Sequence, residues 1–277
     1  MNPIPKSEYD FISALLLKES GLSLGEGKEY LLDSRLSALT QEMGLKSVSD
    51  LINNMILNPF DRKLIKKVND LMTTNESLFF RDYTPFEILQ IKFLPEIHRK
   101  LSHVKRLNIW SAACSTGQEP YSIAMMFLES HLDWRDWQIQ IIATDYADSI
   151  LERARSGSYS AYEVGRGLPP QLLLKYFEKI GESWVVKPEV KKFVNFRHIN
   201  LLDPFTMPVC DIIFLRNVLI YFEREVKTMI LDRLAHVAPE DGILLLGGAE
   251  SVYSLTEAWE SIDGVRASIY KKKVMKK

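Results

Sequence analysis

A turn of small polar residues is the first part of the sequence whose residue types could support chemistry. It runs Ser111-Ala-Ala-Cys-Ser-Thr-Gly-Gln-Glu-Pro-Tyr-Ser122 and follows a short apolar run. Small side chains at a strand-to-helix turn let the backbone approach a ligand closely, so the turn could bind a nucleotide. Only Gly117 is present, so the dinucleotide pattern G-x-G-x-x-G is missing. The alternative is an ordinary connection in which Glu119 and Pro120 begin the next helix.

The acid Asp145 ends a second apolar run, which begins at Gln138. An acid at the tip of the second strand of a doubly wound sheet commonly accepts hydrogen bonds from ribose hydroxyls. It could equally cap a helix that begins near Ala147. Position alone leaves both roles for Asp145 open.

Arg216 and Asn217 follow a third apolar run, at 211–215. Burial of either side chain without a partner would cost several kcal/mol, so each needs a ligand or a structural partner. Ligand binding and a structural ion pair with a capping asparagine are both open. Tyr221 comes one helical turn after Asn217, where it could face the same cleft or satisfy its hydroxyl locally.

Segment 73–82 combines polar and aromatic residues in the order Thr73-Thr-Asn-Glu-Ser-Leu-Phe-Phe-Arg-Asp82. Arg81 offers a fixed cation with a planar fork of donors, and the two phenylalanines would anchor the segment. An interdomain linker is the alternative. Just before it, the basic stretch Arg62-Lys-Leu-Ile-Lys-Lys67 predicts either a solvated helix face or a contact with an acidic partner.

The composition excludes several classes of protein. The 277 residues include 35 Lys and Arg against 36 Asp and Glu, a net charge of −1 that disfavours nucleic-acid binding. Cys114 and Cys210 are too far apart for a disulfide scaffold or a Cys-rich zinc site, and the histidines lack ligand spacing, so we expect no metal. The sequence has no signal-peptide pattern and no apolar stretch long enough to cross a bilayer, so we expect a soluble, cytoplasmic protein without membrane insertion.

The first 75 residues are predicted to form helices only. Apolar residues recur there at helical spacing, and no strand pattern interrupts them. Gly21 and Gly44 are typical of helix ends, Ser47 or Ser49 of a helix start, and Asn58-Pro59 breaks the third helix. The four predicted helices lie at about 8–17, 27–43, 49–57 and 59–71.

After residue 105, short apolar runs alternate with helical segments, which predicts an α/β fold with a parallel sheet covered by helices on both faces. Ligands of such sheets bind at the carboxyl ends of the strands. The alternation is interrupted between about 158 and 200, where we expect an insertion whose small antiparallel element contains 184–186 and 193–196. The predicted strands are 107–110, 138–143, 209–215 and 242–246, with helices at 121–131, 148–155 and 223–236.

Four of these patterns, in this order, resemble the chemotaxis receptor glutamate methyltransferases, the CheR family. The resemblance covers nearly the whole chain, and Gly247-Gly-Ala-Glu-Ser251 also fits a C-terminal pattern of the family. The matching stretches are Thr73-Thr-Asn-Glu-Ser-Leu-Phe-Phe-Arg81, Ser111-Ala-Ala-Cys-Ser-Thr-Gly-Gln-Glu-Pro-Tyr-Ser122, Asn200-Leu201 and Arg216-Asn-Val-Leu-Ile-Tyr-Phe222.

The resemblance implies a small all-helical N-terminal domain, residues 1–75, followed by a Rossmann-like class I methyltransferase domain, residues 76–277. The second domain would carry a small antiparallel β-subdomain insertion at about 158–200. The implied activity is methylation of glutamate side chains on the cytoplasmic domains of chemotaxis receptors, which gives glutamyl methyl esters for sensory adaptation. The implied cofactor is S-adenosyl-L-methionine, with S-adenosyl-L-homocysteine as product.

The resemblance also implies the site residues. Arg81 and Tyr221 would serve catalysis, with Tyr221 near the reacting methyl group, and Asp145 would be the acid that binds the ribose. Cofactor contacts are implied for Asn75, Ser77, Arg81, Glu119, Asp145, Asn200, Leu201, Arg216 and Asn217.

Two departures from the family pattern concern the cofactor. Ser77 stands where threonine is common and keeps the hydroxyl. Gln118 stands where an acid is common, so we place the binding carboxylate on Glu119.

Two further departures concern the receptor. The second helix keeps only Arg35 where relatives are often rich in arginine, so the basic stretch 62–67 becomes the candidate for receptor docking. The loop at 180–183 is short, so we expect no binding of a tethering peptide by the β-subdomain.

The implied reaction needs no general base, because a carboxylate with a pKa of about 4.3 is already ionised at neutral pH. A methyltransferase with another protein or a small molecule as substrate is the first alternative, since fold and cofactor site would be the same. A non-catalytic signalling adaptor that binds the same cofactor is the second. The missing G-x-G-x-x-G disfavours a dehydrogenase.

Overall fold

The computed structural model describes residues 4–73, 76–265 and 267–274. The chain divides into two compact units. The first, which we call the helical unit, comprises Met1–Thr74 and Tyr221–Val226, and the second, the sheet unit, comprises Asn75–Ile220 and Lys227–Lys277. The segment Tyr221–Val226 therefore groups with the start of the chain, which the sequence did not lead us to expect.

Residues 4–73 of the helical unit form four helices, and local sequence signals explain several of their ends. The backbone N–H of Gly21 closes the end of the first helix by donating to the carbonyl of Leu17. The side chain of Ser47 accepts a hydrogen bond from the N–H of Asp50 and so caps the third helix. The helices are α1 (Lys6–Ser20), α2 (Tyr30–Glu42), α3 (Val48–Leu57) and α4 (Arg62–Met72), which confirms the predicted all-helical region.

These helices share one apolar core. Ile12 and Leu16 of α1, Leu36 of α2, Ile52 of α3 and Val68 of α4 are all fully buried. Helices of 10 to 15 residues are marginal in water on their own, so this shared core stabilises them.

A seven-stranded sheet forms the centre of the sheet unit, with the strand order β6-β2-β1-β7-β8-β10-β9. Neighbours from β6 to β8 are parallel, whereas β10 is antiparallel to both β8 and β9. The predicted parallel sheet is thus confirmed. The strands of the chain are β1 (Arg106–Ala112), β2 (Gln138–Asp145), β3 (Ser158–Ser160), β4 (Phe177–Ile180), β5 (Ser183–Val186), β6 (Val194–His198), β7 (Ile212–Leu215), β8 (Ile243–Leu246), β9 (Trp259–Ser261) and β10 (Ile269–Lys272).

Helices connect the strands of the sheet unit. Apolar residues of the central strands, such as Ile109, Ile141, Ile212 and Leu245, are fully buried and form a core with these helices. The helices after residue 83, the last two of which include residues of Tyr221–Val226, are α5 (Thr84–Ile88), a π-helical turn (Leu89–Phe93), α6 (Leu94–Leu101), α7 (Gln118–Leu128), α8 (Asp148–Ser156), α9 (Ala161–Val164), α10 (Pro170–Tyr176), α11 (Pro188–Lys191), a 3-10 turn (Leu219–Tyr221) and α12 (Arg224–Val237). Within the described residues, no helix is both long and apolar enough to cross a membrane.

A separate three-stranded antiparallel sheet of order β3-β5-β4 lies in the predicted insertion. The assignment of 184–186 to this sheet is confirmed, but the assignment of 193–196 is wrong. That stretch forms β6, which pairs parallel to β2 from Val194↔Ile141 to His198↔Asp145 at the edge of the main sheet. The β-forming residues of this stretch predict a strand, but they do not predict which strand it pairs with. In the structure, the ring of Phe196 packs edge-on against the ring of Tyr121 of α7, with 5.8 Å between the ring centroids.

The register of the main sheet aligns the strand ends. Ala112 at the end of β1 lies beside Thr144 of β2 and Leu215 of β7, and Leu215 lies beside Leu246 of β8. The turns that follow β1, β2, β7 and β8 are therefore neighbours at one end of the sheet, where such folds bind their ligands.

Candidate functional site

The turn after β1 has an unusual backbone conformation. Ala113, Ser115 and Gly117 have positive φ angles of 56°, 51° and 94°. Such angles are strained for most side chains. A Cβ on Gly117 would also lie 3.1 Å from both the Cβ of Ala154 and the hydroxyl oxygen of Tyr159. Close packing and the positive φ angle therefore favour glycine at position 117, whereas Ala113 and Ser115 adopt positive φ angles despite their side chains.

The carboxylate of Asp145 joins the turns after β1 and β2. One oxygen accepts a hydrogen bond from the N–H of Ser115 at 2.8 Å, and the other accepts from the N–H of Ala147 at 3.2 Å. The side chain is buried, which raises its pKa, although these backbone N–H groups act in the opposite direction. Asp145 thus closes the turn onto Ala147 and also fixes the turn after β1. The second role was not among the two alternatives, ribose binding and helix capping, that the sequence suggested.

Glu119 lies in the first turn of α7 with both carboxylate oxygens engaged. One accepts from the hydroxyl of Ser111 at 2.8 Å, and the other accepts from Nη1 of Arg216 at 3.3 Å. Burial raises the pKa of Glu119, opposed by the charge of Arg216. The acid is therefore held at the end of β1 by partners on two neighbouring strands.

Arg216 is the cation of this network, with a side chain that is only 2% exposed. Its Nη2 donates to the backbone carbonyl of Arg81 and to the carboxylate of Asp82, both at 2.9 Å. The guanidinium also lies 5.7 Å from the ring centre of Phe86. Its Nε is buried without a hydrogen-bond partner. Arg216 thus has the structural ion pairs that the sequence left open, and its contact with a cofactor stays a prediction.

Asn217 follows in a left-handed conformation, with φ of 59°. Its backbone N–H donates to Oε2 of Glu250 at 2.7 Å, and the N–H of Gly247 donates to the same oxygen at 2.7 Å. Glu250 is buried and was given no role by sequence reasoning. Its place in the stretch 247–251, which fits a C-terminal pattern of the family, was the available signal.

The segment around Arg81 is fixed partly by the protein backbone. The N–H of Phe80 donates to the hydroxyl of Ser122 at 2.9 Å, and Phe79 is fully buried. Nη1 of Arg81 donates to the carbonyl of Glu76 at 3.3 Å, and the arginine is half-buried. Ser77 is half-buried, whereas Asn75 lies outside the described residues.

Asn200 and Leu201 lie in the loop after β6. The side-chain oxygen of Asn200 accepts from the N–H of Leu202 at 3.1 Å. Leu201 is buried, and its carbonyl accepts from Nη1 of Arg233 at 3.2 Å. These bonds fix the loop that follows the last residue of β6.

Tyr221 is the predicted site residue that the structure groups with the helical unit. Its carbonyl accepts a hydrogen bond from the N–H of Ser23 at 3.0 Å, and its ring packs against the apolar core of that unit. The other predicted site residues belong to the sheet unit.

The described residues contain no group of three His, Cys, Asp or Glu side chains that could hold a metal ion. Cys114 and Cys210 are both buried free thiols. Burial raises the pKa of each thiol. This suppresses the reactive thiolate form.

Two family models together match most of the chain. The all-alpha domain of CheR methyltransferases matches residues 7–72, and their SAM binding domain matches residues 75–267. The chain belongs to the CheR methyltransferase family. It is a methyltransferase that uses S-adenosylmethionine, and the resemblance found in the sequence is confirmed.

Curated relatives of this CheR protein match over nearly their full lengths. It is 40% identical to "Chemotaxis protein methyltransferase 1" of Pseudomonas aeruginosa, over 96% of this chain and 98% of the relative. It is 42% identical to "Chemotaxis protein methyltransferase" of Vibrio parahaemolyticus, over 98% of each chain. A "Chemotaxis protein methyltransferase" of Borreliella burgdorferi is 34% identical, over 90% of this chain and 89% of the relative.

The groups at the strand ends fit S-adenosylmethionine chemically. Each carboxylate oxygen has two acceptor sites, so Asp145, which accepts from the backbone N–H groups of Ser115, Tyr146 and Ala147, keeps capacity for a ribose hydroxyl. The small side chains of the turn at Ala113–Gly117 would let a ligand approach its backbone closely. The nearby acid Glu119 suits a cofactor that carries a positive sulfonium.

Proposed function

We propose that this CheR protein methylates glutamate side chains on the cytoplasmic domains of chemotaxis receptors and so forms glutamyl methyl esters. The observation that carries the proposal is the near-complete coverage at about 40% identity of relatives named chemotaxis protein methyltransferase. The acceptor chemistry supports it, because an ionised carboxylate attacks without a general base. The protein would act in the cytoplasm, where these receptor domains lie.

The proposed cofactor contacts lie in the sheet unit. Asp145 would accept hydrogen bonds from the ribose hydroxyls, and Glu119 would lie near the positive end of the cofactor. What supports this placement is the common position of these residues in turns after parallel strands. The full proposed set is Asn75, Ser77, Arg81, Glu119, Asp145, Asn200, Leu201, Arg216 and Asn217.

When bound next to these residues, S-adenosylmethionine would supply an electrophilic methyl group for transfer to the glutamate oxygen. The protein's task is alignment, which can lower a barrier substantially by removing unfavourable orientations. We propose that Arg81 orients the acceptor carboxylate through its planar donor fork. Tyr221 would donate a hydrogen bond that fixes the same group.

The direct test incubates the protein with methyl-labelled S-adenosylmethionine and purified receptor cytoplasmic domains. Label that is released by mild base identifies a methyl ester and supports the proposal. Base-stable label would instead indicate methylation of nitrogen or carbon and so favour another substrate. Cofactor binding by calorimetry without any transfer would favour the adaptor.

The roles of Arg81 and Tyr221 are tested by Arg81→Ala and Tyr221→Phe. Loss of a hydrogen bond to a charged group should lower turnover about 10- to 100-fold in each variant. The exposed Arg135 and Tyr253 provide matched controls, as Arg135→Ala and Tyr253→Phe, which should keep normal turnover. Near-normal turnover of a test variant with unchanged cofactor binding would remove that residue from the mechanism.

Receptor docking by the basic stretch 62–67 is a further proposal. These cations lie on α4, where Arg62 pairs with Glu19 at 2.9 Å and Lys67 pairs with Glu42 at 2.7 Å. Exposed pairs of this kind contribute little to stability, so a receptor acid can replace the internal partner at small cost. Lys63→Glu should therefore raise the KM for the receptor at low salt and leave the KM for S-adenosylmethionine unchanged.

We also propose that the small antiparallel sheet does not bind a tethering peptide. Its β4–β5 connection consists of Gly181 and Glu182 alone. Titration of the protein with a peptide from a receptor C-terminus should therefore give no measurable heat, and saturable binding would reject this point.

A further inference from the structure

Glu250 is a buried carboxylate that accepts hydrogen bonds from backbone N–H groups. It is 6% exposed and follows the turn after β8. Its Oε2 accepts from the N–H groups of Asn217 and Gly247, both at 2.7 Å, and its Oε1 accepts from the N–H of Ile220 at 3.4 Å. Among the described residues, no Lys or Arg forms an ion pair with it. Its charge is therefore stabilised by the peptide groups that it holds.

Those peptide groups belong to the turns after two neighbouring strands. Asn217 and Ile220 follow β7, whereas Gly247 follows β8, and the two strands pair up to Leu215↔Leu246. One side chain thus connects two turns at the carboxyl ends of the sheet. A hydrogen bond confined to one of the two turns could not connect it to the other.

Asn217 needs such support because its φ of 59° is unfavourable for a residue with a side chain. Asparagine tolerates the left-handed region better than most residues, but it persists there only when its surroundings fix it. The N–H of Asn217 points at Glu250, so the carboxylate stabilises this backbone conformation directly.

The absence of a side chain at Gly247 leaves space for the side chain of Asn217. A Cβ on Gly247 would lie 2.7 Å from Nδ2 of Asn217, 2.9 Å from its backbone N and 2.8 Å from Oε2 of Glu250. Atoms at these distances would have to shift, so only glycine lets the amide of Asn217 lie over this backbone. Backbone and side chain of Asn217 are thus both set by the turn after β8.

We propose that Glu250 is a positioning residue that holds Asn217 in the conformation needed to bind the cofactor. This rests on the proposed contact of Asn217 with S-adenosylmethionine. Glu250 itself acts through Asn217 and does not need to touch the cofactor.

The test measures binding of S-adenosylhomocysteine by calorimetry, so it needs no receptor. Glu250→Gln keeps the size of the side chain but replaces one acceptor oxygen by a donor amide that cannot accept from an N–H. We expect about tenfold weaker binding, the effect of one lost charge-assisted hydrogen bond. Glu257→Gln is the matched control, because Glu257 is 97% exposed and pairs with Lys273, and it should bind as the wild type does.

A double-mutant cycle separates positioning from general damage to the fold. Asn217→Gly removes the side chain but tolerates the positive φ, so it should itself weaken binding about tenfold. If Glu250 acts through Asn217, adding Glu250→Gln to Asn217→Gly should change affinity by less than about twofold. Two independent losses that multiply would overturn the proposal, and so would wild-type affinity of either single variant.

Should Glu250→Gln unfold at the assay temperature, Glu250→Asp takes its place in the cycle with the same expected non-additivity. The shorter aspartate keeps the charge but cannot reach all three N–H groups. The receptor assay reports separately on the proposed function. Normal S-adenosylhomocysteine binding with no receptor methylation would reject the receptor as substrate and leave the role of Glu250 intact.

Discussion

Charged side chains at the two ends of the parallel strands differ in burial and in pKa. Glu119 and Glu129, at the two ends of α7, illustrate the difference. Glu119, in its first turn at the carboxyl end of β1, is buried beside Arg216, and burial raises its pKa. Glu129, the C-cap residue directly after Leu128, is partly exposed, and its pKa is lowered by hydrogen bonds from Lys175 and Tyr176. The same residue type on one helix is thus disfavoured as an anion at one end and favoured at the other.

A similar contrast separates other charged groups of the sheet, although burial also raises the pKa of Asp211, directly before β7 at the amino ends. At the carboxyl ends, Asp145, Arg216 and Glu250 are less than 10% exposed and hold turns together. At the amino ends, Lys105 pairs with Asp136 at 3.2 Å, and both side chains are about half exposed or more. Buried charge is costly unless each group is bonded, so its concentration at one end marks the end that must be held in one arrangement. That end is where we propose that the cofactor binds.

The largest expected effect comes from removing the buried cation. Arg216→Ala leaves Glu119 buried without its ion-pair partner, which should lower the free energy of unfolding by about 3–5 kcal/mol. Urea unfolding followed by circular dichroism measures this loss. Lys105→Ala removes a cation at the amino ends and should cost about 0–1 kcal/mol, because exposed pairs contribute little. Equal losses of unfolding free energy in the two variants would show that charged groups at the two ends of the strands contribute equally to stability.

Local sequence patterns predicted the elements that form this contrast but not all of their pairings. Buried parallel strands are continuous apolar runs, so β1, β2, β7 and β8 could be found from the sequence. The partner of β6 could not, because strand pairing depends on contacts far apart in the chain. No assignment was made for Thr84–Leu101, whose helices are joined by a π-helical turn.

Some residues of the candidate site could likewise be predicted from the sequence, whereas their partners could not. Asp145, Arg216 and Asn217 could be singled out because polar residues at the ends of apolar runs are unusual. The partners of Arg216 could not, since Arg81 and Asp82 precede it by 135 and 134 residues. The role of Glu250 depends on backbone N–H groups from two turns, which no spacing of residue types reveals.

A smaller effect is expected from Asp145, measured on binding instead of stability. Both of its oxygens accept from backbone N–H groups, so Asp145→Asn must place an amide donor against one of them. Together with the lost charge, this should weaken S-adenosylhomocysteine binding about 10- to 100-fold in calorimetry. Asp241→Asn is the amino-end control, since Asp241 pairs with the exposed Lys100 and Lys271, and it should bind normally. An equal loss in both variants would show that the effect is not specific to the carboxyl ends.

The smallest effect concerns the pH dependence of stability, where the two ends of α7 should differ in sign. The pKa of Glu119 is raised in the folded state above its ordinary value of 4.5, so its contribution to stability is present below that value and is lost as pH rises through the folded pKa. The pKa of Glu129 is lowered from 4.5, so its contribution is present above that value and is lost as pH falls through the folded pKa.

Comparison with Glu119→Gln and Glu129→Gln measures both signs, because glutamine does not titrate. As the pH falls from about 7 to about 4, the free energy of unfolding of the wild type should rise relative to Glu119→Gln and fall relative to Glu129→Gln. Urea unfolding of the three proteins at each pH gives these differences. Changes of the same sign would mean that the acid at the carboxyl end is not disfavoured as an anion. Opposite signs would show that one helix carries a carboxylate destabilised by burial at its first turn and one stabilised by donors at its C-cap.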